Sequence, residues 1–167
     1  MGEIVKQTKR WGIPLKPLAR TYANRVLVAG DAAGMAKPTT GGGIYYALLS
    51  GELAAETAGE ALAADDLSAR QLRAYEKRWK ALFGKEMRVG YMARMLFESL
   101  GDSQLDRLLD TLVSCESRDG IISGEFSFDW HSKLILRAIN HRDLGGLIRS
   151  FGPAVVPFLS RMVSNRA

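Results

Sequence analysis

The chain has 167 residues, of which 47% are hydrophobic and 25% charged, with a net charge of +5 and one cysteine. That is enough chain for one core of ordinary globular composition, and it excludes an intrachain disulfide framework. No apolar run approaches the roughly 18 residues needed to cross a bilayer. The opening stretch MGEIVKQTKRWGIPLK has no secretory apolar segment, so a cytoplasmic location is expected.

The positive excess lies in residues 1–25, where Lys6, Lys9, Arg10, Lys16, Arg20 and Arg25 face only Glu3. No nucleic-acid motif accompanies them, so this reads as a solvated leader and no nucleic-acid partner is expected. The leader closes in GIPLKPL, Gly12 to Leu18, where two prolines demand extended or turn geometry. RVLVAG follows as a short apolar run of the kind used by a buried parallel strand. One strand makes no sheet; it pairs with a marginal segment or joins a sheet from another polypeptide.

Helical periodicity then runs from Ile44 to about Ala64, with Ala47, Gly51, Ala54, Ala55 and Ala58 forming a narrow face of small residues. Gly51 and Gly59 each forgo about 1 kcal/mol of helix propensity relative to Ala, which close packing on a sheet or ligand would offset. In LSARQL, Ser68 is the expected N-cap and Gln71 its capping-box partner. Leu72, Tyr75, Trp79 and Leu82 form the next apolar stripe, and Met87, Tyr91, Met95 and Leu96 line a further helix after Gly84. Asp102 or Ser103 caps another helix, which carries Leu105, Leu108, Leu109 and Leu112. A loop around Gly120 and Gly124 precedes DWHSKLILRAI, and a last helical stretch from Arg142 is interrupted by Pro153 and Pro157. The expected fold is therefore an α/β fragment, predominantly α. It divides into residues 1–66, holding a strand–Gly-Asp turn–helix corner, and a helical region, 67–167.

The chemistry concentrates in VLVAGDAAGMAKPTTGGGIYYAL, Val26 to Leu48. A helix start presents unpaired N–H groups and partial positive charge. Gly41, Gly42 and Gly43 clear the approach to it, and Gly30 permits a sharp turn that projects the Asp31 carboxylate at the strand end. A carboxylate beside that positive end would repel a lone phosphate. It suits a ligand with hydroxyls for the acid and a delocalised negative charge for the helix, as a flavin nucleotide has.

GDAAGMAKPTTGGGIYYALLSGELAA, Gly30 to Ala55, resembles the second flavin motif of the geranylgeranyl reductase family, within the p-hydroxybenzoate-hydroxylase-type flavoproteins. GIPLKPLARTYANRVLVAGDAAG upstream and LRAYEKRWKALFGKEM downstream extend the likeness over Gly12 to Met87, and the helical tail follows loosely. The resemblance implies FAD as cofactor, with Asp31 on the ribityl chain beside Gly30. It implies that Gly42, Gly43 and Ile44 offer backbone at the flavin, and that Pro38 lies near the ring. It implies hydride transfer to double bonds of an isoprenoid or other apolar substrate, and it names no catalytic side chain. The chain departs from the family in having no GxGxxG turn and no YxWxFP-like segment. The expectation is therefore the carboxyl-terminal portion of such a reductase, with an amino-terminal FAD-binding half as its partner. Another flavoprotein of the superfamily, an aromatic monooxygenase or quinone-linked dehydrogenase, is the alternative enzyme; a helical interaction module without flavin is the non-enzymatic one.

No ligand spacing surrounds His131 or His141, so no metal is expected; His131 reads as part of a helix first turn and Cys115 as a small buried residue. The tail LGGLIRSFGPAVVPFLSRMV reads as packed helices, with a hydrocarbon-tunnel wall or a membrane-resting surface as its functional alternative.

Overall fold

The structure is a computed structural model and describes residues 12–123, 127–152 and 155–163; the leader through residue 11, Gly124 and Pro153 lie outside the described residues. Two short strands, β1 (Tyr22–Ala23) and β2 (Val26–Leu27), pair antiparallel, with Tyr22 opposite Leu27. The parallel strand expected of RVLVAG is thus replaced by a hairpin arm, with Val26 47% exposed. The reason is local: a turn at Asn24–Arg25, where Arg25 adopts φ 61°, folds the run back on its own neighbour. The Asn24 side chain also accepts from Ala69 N at 2.7 Å, fastening this turn to a helix start.

A 3-10 turn, Gly30–Ala33, leads to seven α-helices. These are α1 (Ile44–Ala63), α2 (Ala69–Trp79), α3 (Lys85–Glu98), α4 (Asp102–Asp119), α5 (Ser132–Asn140), α6 (Arg142–Ser150) and α7 (Val156–Val163). At α2 the Ser68 hydroxyl caps Gln71 N at 3.4 Å as expected. The reciprocal arm differs: Ser68 N donates to Asp66 Oδ1 at 2.9 Å, because the nearer acid outcompetes the amide of Gln71. At α4 the cap is Gly101, whose N–H reaches Gln104 Oε1 at 3.0 Å, in place of Asp102 or Ser103. Gly120 ends α4 with φ 57°, a left-handed cap suited to glycine. Pro157 falls in the first turn of α7, where a missing N–H costs no helical bond.

No break separates α2 from α3. A π turn, Lys80–Gly84, joins them and adds residues to one helical turn. The inward stripe shifts accordingly: after Leu72, Tyr75 and Trp79 it continues through Phe83, 1% exposed, and Met87, while Leu82 is 50% exposed. Phe83 stacks on Trp79 with centroids 5.6 Å apart and meets Tyr46 of α1 at 5.3 Å. Ala33, Met35, Tyr46, Tyr75, Trp79, Phe83 and Met87 make one core, drawn from both sides of residue 66. Each of its large side chains contributes about 1.5–3 kcal/mol by leaving water. Farther along, Leu96, Ile139, Ile148 and Val155 form a second core, and Cys115, Ile121 and Leu144 a third.

Candidate functional site

The corner is built from close backbone approaches. Gly30 has φ 59°, and a Cβ there would lie 3.2 Å from Ala47 Cβ, so α1 rests directly on the turn. Its N–H donates to Ser50 Oγ of the same helix at 3.0 Å. The chain from Lys37 to Gly42 closes on itself through Lys37 N to Gly42 O, 2.9 Å, and Gly41 N to Lys37 O, 2.7 Å. This loop delivers Gly43 as the N-cap of α1 with no side chain capping the helix.

Asp31 and Gly43 meet there. A Cβ on Gly43 would lie 2.2 Å from Asp31 Oδ1, so the carboxylate occupies the space that only glycine leaves open. Among the described residues no group is hydrogen-bonded to that carboxylate. Both partners look outward: Asp31 is exposed and Ile44 is 82% exposed. An acceptor-only group and uncapped helical amides therefore share one open surface, with Gly42 exposed beside them. Pro38 is buried behind this surface, its ring against Gly90 of α3 and its carbonyl accepting from Arg94 Nη1 at 3.2 Å.

The back of the corner is held by residues 127–132, a latch that sequence patterning missed. Lys37, 7% exposed, places Nζ 2.8 Å from Asp129 Oδ1, 3.1 Å from Phe128 O and 4.2 Å from the Phe128 ring centroid. Tyr46 donates its hydroxyl to Asp129 O at 2.5 Å, and Trp130 Nε1 donates to Tyr45 Oη at 3.1 Å. Burial, then the nearby Glu86 and Asp129 carboxylates, pushes the Tyr46 phenol well above its ordinary range, so it stays a donor. His131 bridges Thr39 Oγ1, 2.7 Å from Nδ1, and Phe128 O, 3.1 Å from Nε2. It is also the N-cap of α5, in keeping with the helix-start reading. The latch is anchored below by Glu86, 5% exposed, which accepts from His131 N at 2.6 Å and from Ser132 N at 3.0 and 2.9 Å. The available signal was an acid inside the apolar register of a helix, visible only once the π turn is known.

Beneath Thr39 lies a cavity of about 380 Å³ lined by Ala93, Arg94, Phe97, Glu98 and Ile135. Ala93, Phe97 and Ile135 also line a wholly apolar cavity of about 170 Å³ that reaches Leu108, Leu112 and Leu144. The two cavities share the lining residues Ala93, Phe97 and Ile135, and both open to solvent. A separate cavity of about 310 Å³ is lined by Leu18, Trp79, Tyr91 and Met92, among others.

No family model matches the chain. The fold is similar to part of a geranylgeranyl-reductase-like protein. The chain resembles, at a TM-score of 0.64 and 28% identity, the crystal structure of a geranylgeranyl bacteriochlorophyll reductase-like protein from Thermoplasma acidophilum, covering 89% of this chain and 32% of that one. Curated relatives make the assignment more particular. A digeranylgeranylglycerophospholipid reductase 1 of Methanococcoides burtonii is 41% identical over 107 residues, 64% of this chain and 26% of the relative. The digeranylgeranylglycerophospholipid reductase of Methanocaldococcus jannaschii is 40% identical over 111 residues, 66% and 28% respectively. An uncharacterised protein of the same organism is 33% identical over 133 residues, 80% of this chain and 33% of its own length. Over the aligned portion the chain resembles the geranylgeranyl reductases. It spans about a quarter to a third of the length of these relatives, 26% to 33%.

Proposed function

We propose that this chain supplies the ribityl and ring-edge part of an FAD site, and the apolar channel, of a reductase acting on the double bonds of an isoprenoid lipid. The observation that carries the reading is the meeting of the Asp31 carboxylate and Gly43 at the uncapped start of α1. Asp31 accepts from ribityl hydroxyls there, and Gly42, Gly43 and Ile44 present backbone with no side chain in the way. Gly30, buried and with its N–H donated to Ser50 Oγ, shapes the turn. The α1 amides and dipole would stabilise negative charge developing on the ring edge. When bound and reduced, the flavin would supply the hydride. Pro38 and the latch hold the floor of the corner, and the apolar cavities lined by Ala93, Phe97 and Ile135 offer a surface for the polyene. No helix among the described residues is long and apolar enough to cross a membrane.

The small-residue stripe of α1 agrees with this assembly. A Cβ added at Gly51 or Gly59 would have nothing within 4 Å, and Leu48 and Leu62 are 70% and 65% exposed. This face of α1 is open among the described residues, and the proposal has a pyrophosphate-binding half of the fold cover it. The test is titration of the chain with FAD, followed by quenching of flavin fluorescence. Saturable binding by the wild type that falls at least tenfold in Asp31→Ala supports the reading. Absence of binding, or equal binding by both proteins, overturns it.

A further inference from the structure

On α4 and α6, elements separate from the flavin corner, three potential ligands converge that no sequence spacing links to a metal motif. We propose that Cys115, Asp119 and His141 form a binding site for one divalent transition-metal ion of the zinc class. Cys115 and Asp119 are four residues apart on α4, so their side chains lie one turn apart on one helix face. His141 enters as the N-cap of α6, fixed by Gly145 N donating to its carbonyl at 2.8 Å. One ligand atom from each residue lies within 4.8 Å of the others. The Cys115 Sγ to His141 Nδ1 distance is 3.6 Å. Tetrahedral zinc with Zn–S near 2.3 Å and Zn–N near 2.0 Å requires an S···N separation of about 3.5 Å, so this pair stands at coordinating distance.

The imidazole is in the form a metal needs. Asp143 N donates to Nδ1 at 3.3 Å, which makes Nδ1 an acceptor, while Nε2 faces Asp119 Oδ2 at 3.1 Å and carries the proton. Nδ1 lies 3.6 Å from the sulfur, and an ion bound between them would take the lone pair now shared with the Asp143 N–H. The donor set of thiolate, imidazole and carboxylate is one that zinc uses, and its two negative charges match a dication. Arg118 also approaches Sγ, at 3.6 Å, but Asp143 holds its guanidinium at 2.5 Å and its side chain is 58% exposed, leaving it room to withdraw. Asp119, 49% exposed, can turn from Nε2 to the ion, and the same open side admits a water as fourth ligand.

The experiment is addition of Co²⁺ to the reduced 167-residue chain, followed by absorption spectroscopy and back-titration with Zn²⁺. The expected result is one equivalent of Co²⁺ giving a thiolate-to-cobalt charge-transfer band that Zn²⁺ bleaches. Cys115→Ser should lose that band. His141→Asn, which keeps an acceptor for Asp143 N, should weaken binding by tenfold or more, with an unchanged circular dichroism spectrum showing that both variants fold. A wild-type protein without a thiolate band, or one whose Co²⁺ binding is matched by Cys115→Ser, overturns the proposal.

Discussion

Replacing Glu86 with alanine should unfasten the latch behind the glycine corner, and the cost follows from its bonds. The carboxylate is 5% exposed and is the acceptor for the backbone N–H groups of His131 and Ser132. Leaving a buried N–H without an acceptor costs about 1–3 kcal/mol, so two of them lose roughly 2–6 kcal/mol. Part of that is returned because the wild type must bury a carboxylate, and a net loss of about 3 kcal/mol is expected. With a urea m-value of about 2 kcal/mol/M, the unfolding midpoint should drop by about 1.5 M. Urea titration followed by tryptophan fluorescence reads this directly, since Trp130 lies in the latch and Trp79 in the adjoining core. Glu86→Gln keeps one acceptor oxygen and should lose about half as much. A Glu86→Ala protein within about 1 kcal/mol of the wild type, at or below the floor for lost buried bonds, would refute the assignment of Glu86 as the anchor.

Two glycines of the corner should respond differently to alanine. At Gly34, with φ 71°, a Cβ would lie 2.2 Å from the Lys16 carbonyl oxygen, so Gly34→Ala should cost upwards of about 3 kcal/mol by chemical denaturation. At Gly43, with φ −103°, the obstacle is only the mobile end of Asp31, so Gly43→Ala should cost less than about 1 kcal/mol while weakening FAD binding at least tenfold. Burial pushes the Tyr75 phenol up to about 12 from 10.0, although a hydrogen bond with Ser50 pulls it down. The folded state therefore holds its proton longer than the unfolded one. The resulting stability, about 2–3 kcal/mol, is complete below pH 10 and lost as pH rises toward 12. Tyr75→Phe should remove that part of the alkaline decline, as read by urea titrations between pH 9 and 12.

The helices were legible because their signals are local. The 3.6-residue periodicity of α1 and the Ser68 cap need only neighbouring residues, and both stand in the structure. The Gly-Asp turn and the glycines before Ile44 were legible for the same reason: sharp turns and uncapped helix starts use a narrow set of residues. Leu82 was misplaced because a π turn changes the register of everything after it, and no single residue in KALFG announces that shift. The latch was hidden because Lys37 and Asp129 are 92 residues apart, and Glu86 lies 45 from His131.

The order of residues along the chain, by itself, determined which segments are helical, where the corner turns and which family the chain resembles, since each rests on steric and hydrogen-bonding preferences acting within a few positions. Only the folded chain decided that β2 turns back on β1, that Gly43 must leave room for a carboxylate twelve residues earlier, and that Cys115 shares its surroundings with His141. Those contacts depend on how helices of given length and register pack, and that packing is a collective property of segments far apart in the chain.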